Sequence, residues 1–423
     1  MPFSALDLVA VVLFLVALFG WVNLRTLHLP MPVGLLAIST ATALAIAAAD
    51  RLFPSSSLGS LLGELMTRID FSHAVLNFLL SFLMFAAGMS IDVRALSGTV
   101  WTAGALATFG TIISTLLVGP AFYFVAGLFG FHLSFAWALV FGALISPTDP
   151  AAMLASAKYV PLPRDVKALL QFESVFNDGV GIVLFTALVA AAAGGGAVDF
   201  GAIARDVLVK GGGAAVLGGA AAFLAIRAMH RIDDYGVETA LTIALATGVY
   251  ALADHLGLSG PIATAAAGLI VGTERARLAM SEVTQRYVRA FWNLIDEIVN
   301  AVLFLLVGLE VVLLVSAWRF FVPAVCAIAV VLLARLVSVS VPAAILARCR
   351  RTIGWWVIPV LTWSGARGAL SIALALMLPA GPERALILSC TYAIVLFAIF
   401  GQSLSMPAFL RRLGIAEVPP HAG

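Results

Sequence analysis

Phe172-Glu173-Ser174-Val175-Phe176-Asn177-Asp178-Gly179 is followed by Val180 to Ala193, a run without a single charge. Two acids and a carboxamide thus head a stretch that is otherwise suited to lipid. An ionisable group at membrane depth costs about 2.5–3.5 kcal/mol on the insertion scale, so such groups usually face an interior or a pathway. The segment points to ion movement and away from a soluble enzyme.

The rest of the chain agrees about the solvent. Its 423 residues are 62% hydrophobic and only 11% charged, with a mean hydropathy of +1.09. A water-soluble surface of this size needs far more charge, and apolar stretches of membrane-spanning length recur throughout. The composition predicts an all-α polytopic membrane protein. The formal charge of +2 is spread over short connections, with no Lys/Arg tract and no phosphate-binding glycine loop, so nucleic acid is not an expected partner. Cys326, Cys349 and Cys390 have no paired spacing, which indicates neither a disulfide framework nor a zinc site. Leu6 to Val22 lacks a basic leader and a cleavage site, and reads as the first span.

Apolar blocks between polar breaks predict about thirteen spans, at 6–22, 32–49, 74–91, 99–126, 134–156, 168–193, 208–228, 237–254, 260–273, 290–316, 320–347, 356–378 and 385–408. Pro147 interrupts the fifth, and Gly365 and Gly368 flank Arg367 in the twelfth; such breaks are tolerated only where protein or a cavity satisfies the backbone. With the N-terminus outside, sixteen of the 24 basic residues fall in inward connections or the tail and six in outward ones. Arg335 and Arg367 lie within spans. The bias predicts an outside N-terminus and a cytoplasmic C-terminus. Trp21, Trp292, Trp318, Trp355 and Trp356 fall near span ends and are expected to anchor at the interface.

A weak internal repeat runs through this layout. Phe82-Leu83-Met84-Phe85-Ala86-Ala87-Gly88-Met89 resembles Phe304-Leu305-Leu306-Val307-Gly308-Leu309 in character. Ser146-Pro147-Thr148-Asp149-Pro150 falls opposite Ser364-Gly365-Ala366-Arg367-Gly368. Spans 3 and 10, and 5 and 12, are thereby paired. A shift of seven spans, an odd number, predicts two inverted six-helix repeats with crossing broken helices. The expected organisation is a first unit over 1–193, a linker helix with loops over 194–233, a second unit over 234–410 and a short cytoplasmic tail over 411–423. Inverted repeats with broken helices point to a transporter site near the midplane.

The charged residues converge on these breaks. Asp149 follows Pro147, and Pro150 removes the next backbone donor. Thr148 adds a hydroxyl, and hard cations take such oxygen ligands. A helix places Ser174 and Asp178 on one face, with Glu173 and Asn177 beside them. Asp178 with Ser174 and Thr148 is the expected ion-binding set, joined by Asp149 and Asn177. Buried Arg implies a carboxylate or convergent carbonyls, so Glu173 is expected to pair with Arg335 and Arg367 to support the crossing. Asp296, Glu297, Asn300 and Glu310 read as structural or vestibule residues. The histidines are scattered, although His230 is placed to sense cytoplasmic pH.

Ser146–Pro150, Phe172–Gly179, Trp363–Gly368 and Phe291–Glu310 together resemble the monovalent cation/proton antiporter family, in its bacterial sodium/proton exchanger branch. The resemblance covers most of the chain. It implies a homodimer in a bacterial cytoplasmic (inner) membrane, each protomer with a core transport domain and an interface domain. Asp178 then corresponds to the ion-binding, proton-carrying aspartate, preceded by Asn177. Ser174 and Thr148 match cation-coordinating oxygens, Glu173 and Arg335 a structural ion pair, and Arg367 the arginine of the second crossing. The Asn-Asp pair is associated in the family with electroneutral one-for-one exchange. The implied function is antiport of a monovalent cation, Na+ foremost, against H+ by alternating access, with no cofactor beyond the transported ions. K+/H+ antiport and a cation channel are the alternatives. A third-span acid found in some relatives is missing at Gly88-Met89-Ser90.

Overall fold

In the computed structural model, residues 5–52, 73–96, 98–156, 162–194, 198–311, 318–348, 354 and 356–414 are described, and helix dominates them. The first group comprises α1 (Ala5–Arg25), α2 (Met31–Leu52), α3 (His73–Ser90), α4 (Val100–Leu128), α5 (Phe135–Ile145), α6 (Ala151–Ser156) and α7 (Arg164–Ala193). There follow α8 (Phe200–Met229), α9 (Tyr235–His255), α10 (Gly260–Val271), α11 (Glu282–Glu310) and α12 (Phe321–Arg348). The chain closes with α13 (Val357–Trp363), α14 (Ala369–Leu376) and α15 (Pro382–Arg412). Among the described residues, 8 helices are long and apolar enough to cross a membrane, and shorter apolar helices accompany them. Arg68, Lys158, Cys349, Arg350, Arg351, Trp355, the end of the tenth span and the tail beyond Gly414 lie outside the described residues, as do the side chains of Arg51, Trp318 and Arg348.

Local chemistry sets several of the helix starts. The first-turn N–H groups have no intrahelical acceptor, and near lipid no water replaces it. Ser134, Asp234, Ser259 and Ser281 each accept from the third following amide, at the heads of α5, α9, α10 and α11. The Ser281 cap starts α11 eight residues before the apolar block expected at 290–316, so its first turns carry Arg286 and Arg289 beyond the apolar run. α4, α8 and α15 each contain a π-helical turn, at Leu106–Gly110, Val207–Gly211 and Phe397–Ser403. No apolar periodicity announces these.

The connections gather at two ends in the way an odd-numbered shift requires. At one end Arg94 pairs with Glu274, and Tyr235 stacks on Tyr287 with ring centroids 4.6 Å apart. At the other, Ser259 N donates to Lys210 O at 3.1 Å, and the Phe131 and Phe320 rings lie 5.2 Å apart. The packing is mirrored as well. α3 against α10 is matched by α11 against α2, α9 against α10 by α1 against α2, and α4 against α5 by α12 against α13. The helices fall into two packing groups, α4 to α7 with α12 to α15, and α1 to α3 with α9 to α11.

Trp292 departs from the interface role expected of it. It is fully buried, donates from Nε1 to Thr242 Oγ1 at 2.9 Å, and packs its ring 4.5 Å from that of Phe85. The extension of α11 moves Trp292 away from the helix end and into the packed interior. Trp21 and Trp356 are exposed.

Lipid supplies no hydrophobic drive between helices, so close backbone approach carries the packing. A Cβ on Gly268 would strike Phe85 O, and one on Gly88 would strike Ala265 O. Gly308 meets Ser39 and Leu36 in the mirrored pair. Replacing Gly268 by Leu should therefore cost about 1–3 kcal/mol, read as a lowered thermal transition of the purified protein. An unchanged transition would show that α3 and α10 do not need this approach.

Candidate functional site

The two helix breaks satisfy one another. α5 ends at Ile145 and α6 begins at Ala151, with Pro147 and Pro150 between them. α13 ends at Trp363 and α14 begins at Ala369. Asp149 N donates to Ala366 O at 2.7 Å across the crossing. Arg367 Nη1 donates to Ser146 O and, at 2.8 Å, to Pro147 O. The guanidinium thus occupies the negative end of the α5 half-helix, while Asp149 Oδ1 accepts from Ala151 N at 2.8 Å at the positive end of α6. A side chain at Gly368 would occupy the space of the Asp149 carboxylate. Arg367 is 1% exposed, and its Nε and Nη2 have no partner among the described residues.

α7 presents two polar faces to this crossing. On one, Glu173 accepts both Arg335 terminal nitrogens, at 2.6 and 2.8 Å. Arg335 Nε and Nη2 also donate to Leu361 O, at 3.3 and 3.1 Å, in the last turn of α13. Asn177 donates from Nδ2 to Thr148 Oγ1 at 2.8 Å and to Glu173 Oε1 at 3.3 Å, and its Oδ1 accepts from Thr148 N. On the other face, Ser174 Oγ donates to Thr148 O at 2.7 Å, which leaves its lone pairs available.

Asp149, Ser174 and Asp178 line a cavity of about 330 Å3. Asp178 is 9% exposed and makes no hydrogen bond among the described residues. Of the expected oxygen set, Thr148 and Asn177 are not on the cavity wall. Thr148 Oγ1 is instead engaged by Asn177, because Asn177 bridges the first break to the Glu173–Arg335 pair. The arrangement can hold a hard monovalent cation or a proton at Asp178, with Ser174 and Asp149 as neighbouring oxygens. No group of three or more His, Cys, Asp or Glu suited to a bound metal occurs among the described residues.

Two further polar groups lie close to the site or bridge its helices. Asp296 and Asn300, on α11, line the same cavity, and Asn300 Nδ2 donates to Asp296 Oδ1 at 3.2 Å. Their spacing of four, the spacing of Ser174 and Asp178, is the signal that marks them. Glu310 is buried, and Tyr392 Oη donates to its Oε2 at 2.5 Å, joining α11 to α15.

Glu173 and Arg335 are 1% and 4% exposed, so neutralising one leaves the other charged and unpaired, at about 3–5 kcal/mol. Glu173→Gln should lower the thermal transition of the purified protein sharply. Combining it with Arg335→Met should recover part of the loss, since the uncompensated charge is then gone. A double variant no more stable than Glu173→Gln would reject the pairing as the source of the effect.

The comparisons with known proteins agree with this architecture. A family model described as "Sodium/hydrogen exchanger, transmembrane" matches residues 11–412. The chain is 40% identical over 412 residues to the Na+/H+ antiporter NhaP of Pseudomonas aeruginosa, covering 96% of this chain and 97% of that one. It is 32% identical over 361 residues to the Na+/H+ antiporter NhaH of Halobacillus aidingensis, covering 82% and 84%. The solved sodium proton antiporter MjNhaP1 of Methanocaldococcus jannaschii shares the fold, with a TM-score of 0.71 over 93% of this chain and 97% of that one at 20% identity. With a match that spans nearly its whole length, the chain belongs to the sodium/hydrogen exchanger family.

Proposed function

We propose that this protein exchanges Na+ for H+ across a bacterial cytoplasmic membrane, one for one, by alternating access at Asp178. The observation that carries the reading is the Asp178 carboxylate, buried yet free of hydrogen-bond partners among the described residues, at the wall of a cavity shared with Ser174 and Asp149. A buried carboxylate without donors calls for a positive partner, and Na+ and H+ each supply one. Both cannot occupy one carboxylate, so each displaces the other and their opposite flows are coupled. The names of the relatives support Na+ as the cation.

In this reading Asp178 and Ser174 exchange the ion and Asp149 completes the negative wall. Asn177 and Thr148 lock α7 to the first break, and Glu173, Arg335 and Arg367 hold the crossing. The group formed by α4 to α7 with α12 to α15 moves against the other group. The chain divides into repeat units over 1–193 and 234–410 with a linker over 194–233, a division that the mirrored packing supports. The N-terminus lies outside and the C-terminus in the cytoplasm, as the basic residues bias it. The working form is a homodimer, supported by the family resemblance of the motifs.

Purified protein in liposomes, with internal pH followed while Na+, K+ and Li+ are supplied and the membrane voltage is clamped, tests the proposal. Na+ should drive proton movement without net charge transfer. Asp178→Asn should abolish it, a loss of more than a hundredfold, and normal exchange by that variant would sink the assignment. Persistent uncoupled current would favour a channel.

Competition at one carboxylate also fixes the pH dependence. Where H+ occupies the site, the apparent KM for Na+ should rise about tenfold for each unit that pH falls on the same side, by mass action. A KM independent of pH would separate the two binding events and reject the shared site.

A further inference from the structure

α11 carries Arg289, Asn293, Asp296 and Asn300 at spacings of four, three and four, which set all of them on one helix face. That face borders three cavities. Arg289 lines one of about 1250 Å3 and, with Asn293, a second of about 240 Å3, whereas Asp296 and Asn300 line the cavity that holds Asp178. Ser90, at the end of α3, borders all three. The stripe therefore follows a path from the end that carries Arg94 and Glu274 to the buried carboxylate.

Charge changes along this path. In the outermost cavity Asp92, Asp165 and Glu274 are balanced by Arg94, Arg164 and Arg289. In the innermost, Asp149, Asp178 and Asp296 face only Lys167. A cation moving inward meets no net field and then a net negative one, which raises its local concentration beside Asp178. The path ends on that buried carboxylate, which has no hydrogen-bond partner among the described residues. Asp296 itself is half-buried, its carboxylate accepts from Asn300, and among the described residues it is neither locked in an ion pair nor part of the crossing. It also belongs to the packing group opposite to that of Asp149 and Asp178. It faces them in this arrangement of the two groups, and a relative movement of the groups separates them.

We propose that Asp296, positioned by Asn300, is a cation-staging residue that feeds Asp178 from one face of the membrane and has no part in exchange from the other. It stands, on a different helix, where the third-span position at Ser90 offers no acid. The inference rests on the reading of Asp178 as the exchange site.

The test uses right-side-out and everted vesicles containing the full chain, made from cells without other Na+/H+ exchange. Proton movement is followed while Na+ is titrated on one face at a time. The face bearing Arg94 is located by labelling an Arg94→Cys variant with a membrane-impermeant thiol reagent. Asp296→Asn should raise the KM for Na+ added at that face about threefold to tenfold. The KM from the opposite face and the maximal rate should stay within about twofold. Asp296→Glu should restore the KM, and choline chloride should narrow the difference by screening. Asn300→Asp, which adds a second carboxylate, should lower the KM at the same face and carries the test if Asp296→Asn does not fold. An unchanged KM, an equal rise from both faces, or a loss of maximal rate alone would overturn the proposal. Wild-type vesicles without Na+-dependent proton movement would instead overturn the exchange reading beneath it.

Discussion

Every backbone N–H and C=O at membrane depth has to be satisfied inside the protein. The two helix breaks, Ser146 to Pro150 and Ser364 to Gly368, are where this chain departs from continuous helix, and each is tolerable only because of the other. Asp149 N meets Ala366 O, and Arg367 takes up the carbonyls of Ser146 and Pro147. Prolines at 147 and 150 remove two donors that would otherwise need acceptors. From this mutual satisfaction follow the inverted packing of the halves, the space beside the crossing and the placement of the acids around it.

α7 translates that scaffold into chemistry by dividing four polar residues between two faces. Glu173 and Asn177 are tied into Arg335, Leu361 and Thr148, so the helix cannot rotate without breaking several buried bonds. Ser174 and Asp178 face the cavity. A network fully satisfied on one side lets a carboxylate remain unsatisfied on the other, because the helix that carries it is held in place.

Much of this was legible in the sequence, for identifiable reasons. Charges in an apolar background are conspicuous, so Glu173, Asp178, Arg335 and Arg367 stood out, and helical spacing alone separated Ser174 and Asp178 from Glu173 and Asn177. The helix breaks were marked by proline and glycine. Trp292 was misplaced because an amphipathic extension shifted the start of α11, and a tryptophan near an assumed end looks the same whether it meets headgroups or Phe85. The engagement of Thr148 by Asn177 was hidden, since whether a hydroxyl faces a cavity or a neighbouring amide depends on a rotation that spacing does not encode. Asp296 was undervalued because it lies among other polar residues, where an acid is not conspicuous; only the cavity shows which of them share its wall. The π-helical turns leave no trace in hydrophobic periodicity.

The acids Asp149 and Glu173 and the arginines Arg335 and Arg367 also set an electrical balance at the crossing. With these four side chains ionised, two negative and two positive charges cancel, and the charge left over at the crossing is that of Asp178. Loaded with either Na+ or H+, the crossing is neutral; empty, it carries one uncompensated negative charge. Moving such a charge through a low-dielectric barrier costs several kcal/mol, whereas moving the neutral assembly does not. In the proposed cycle the scaffold itself discourages empty return, and leakage is held down by electrostatics without a dedicated gate.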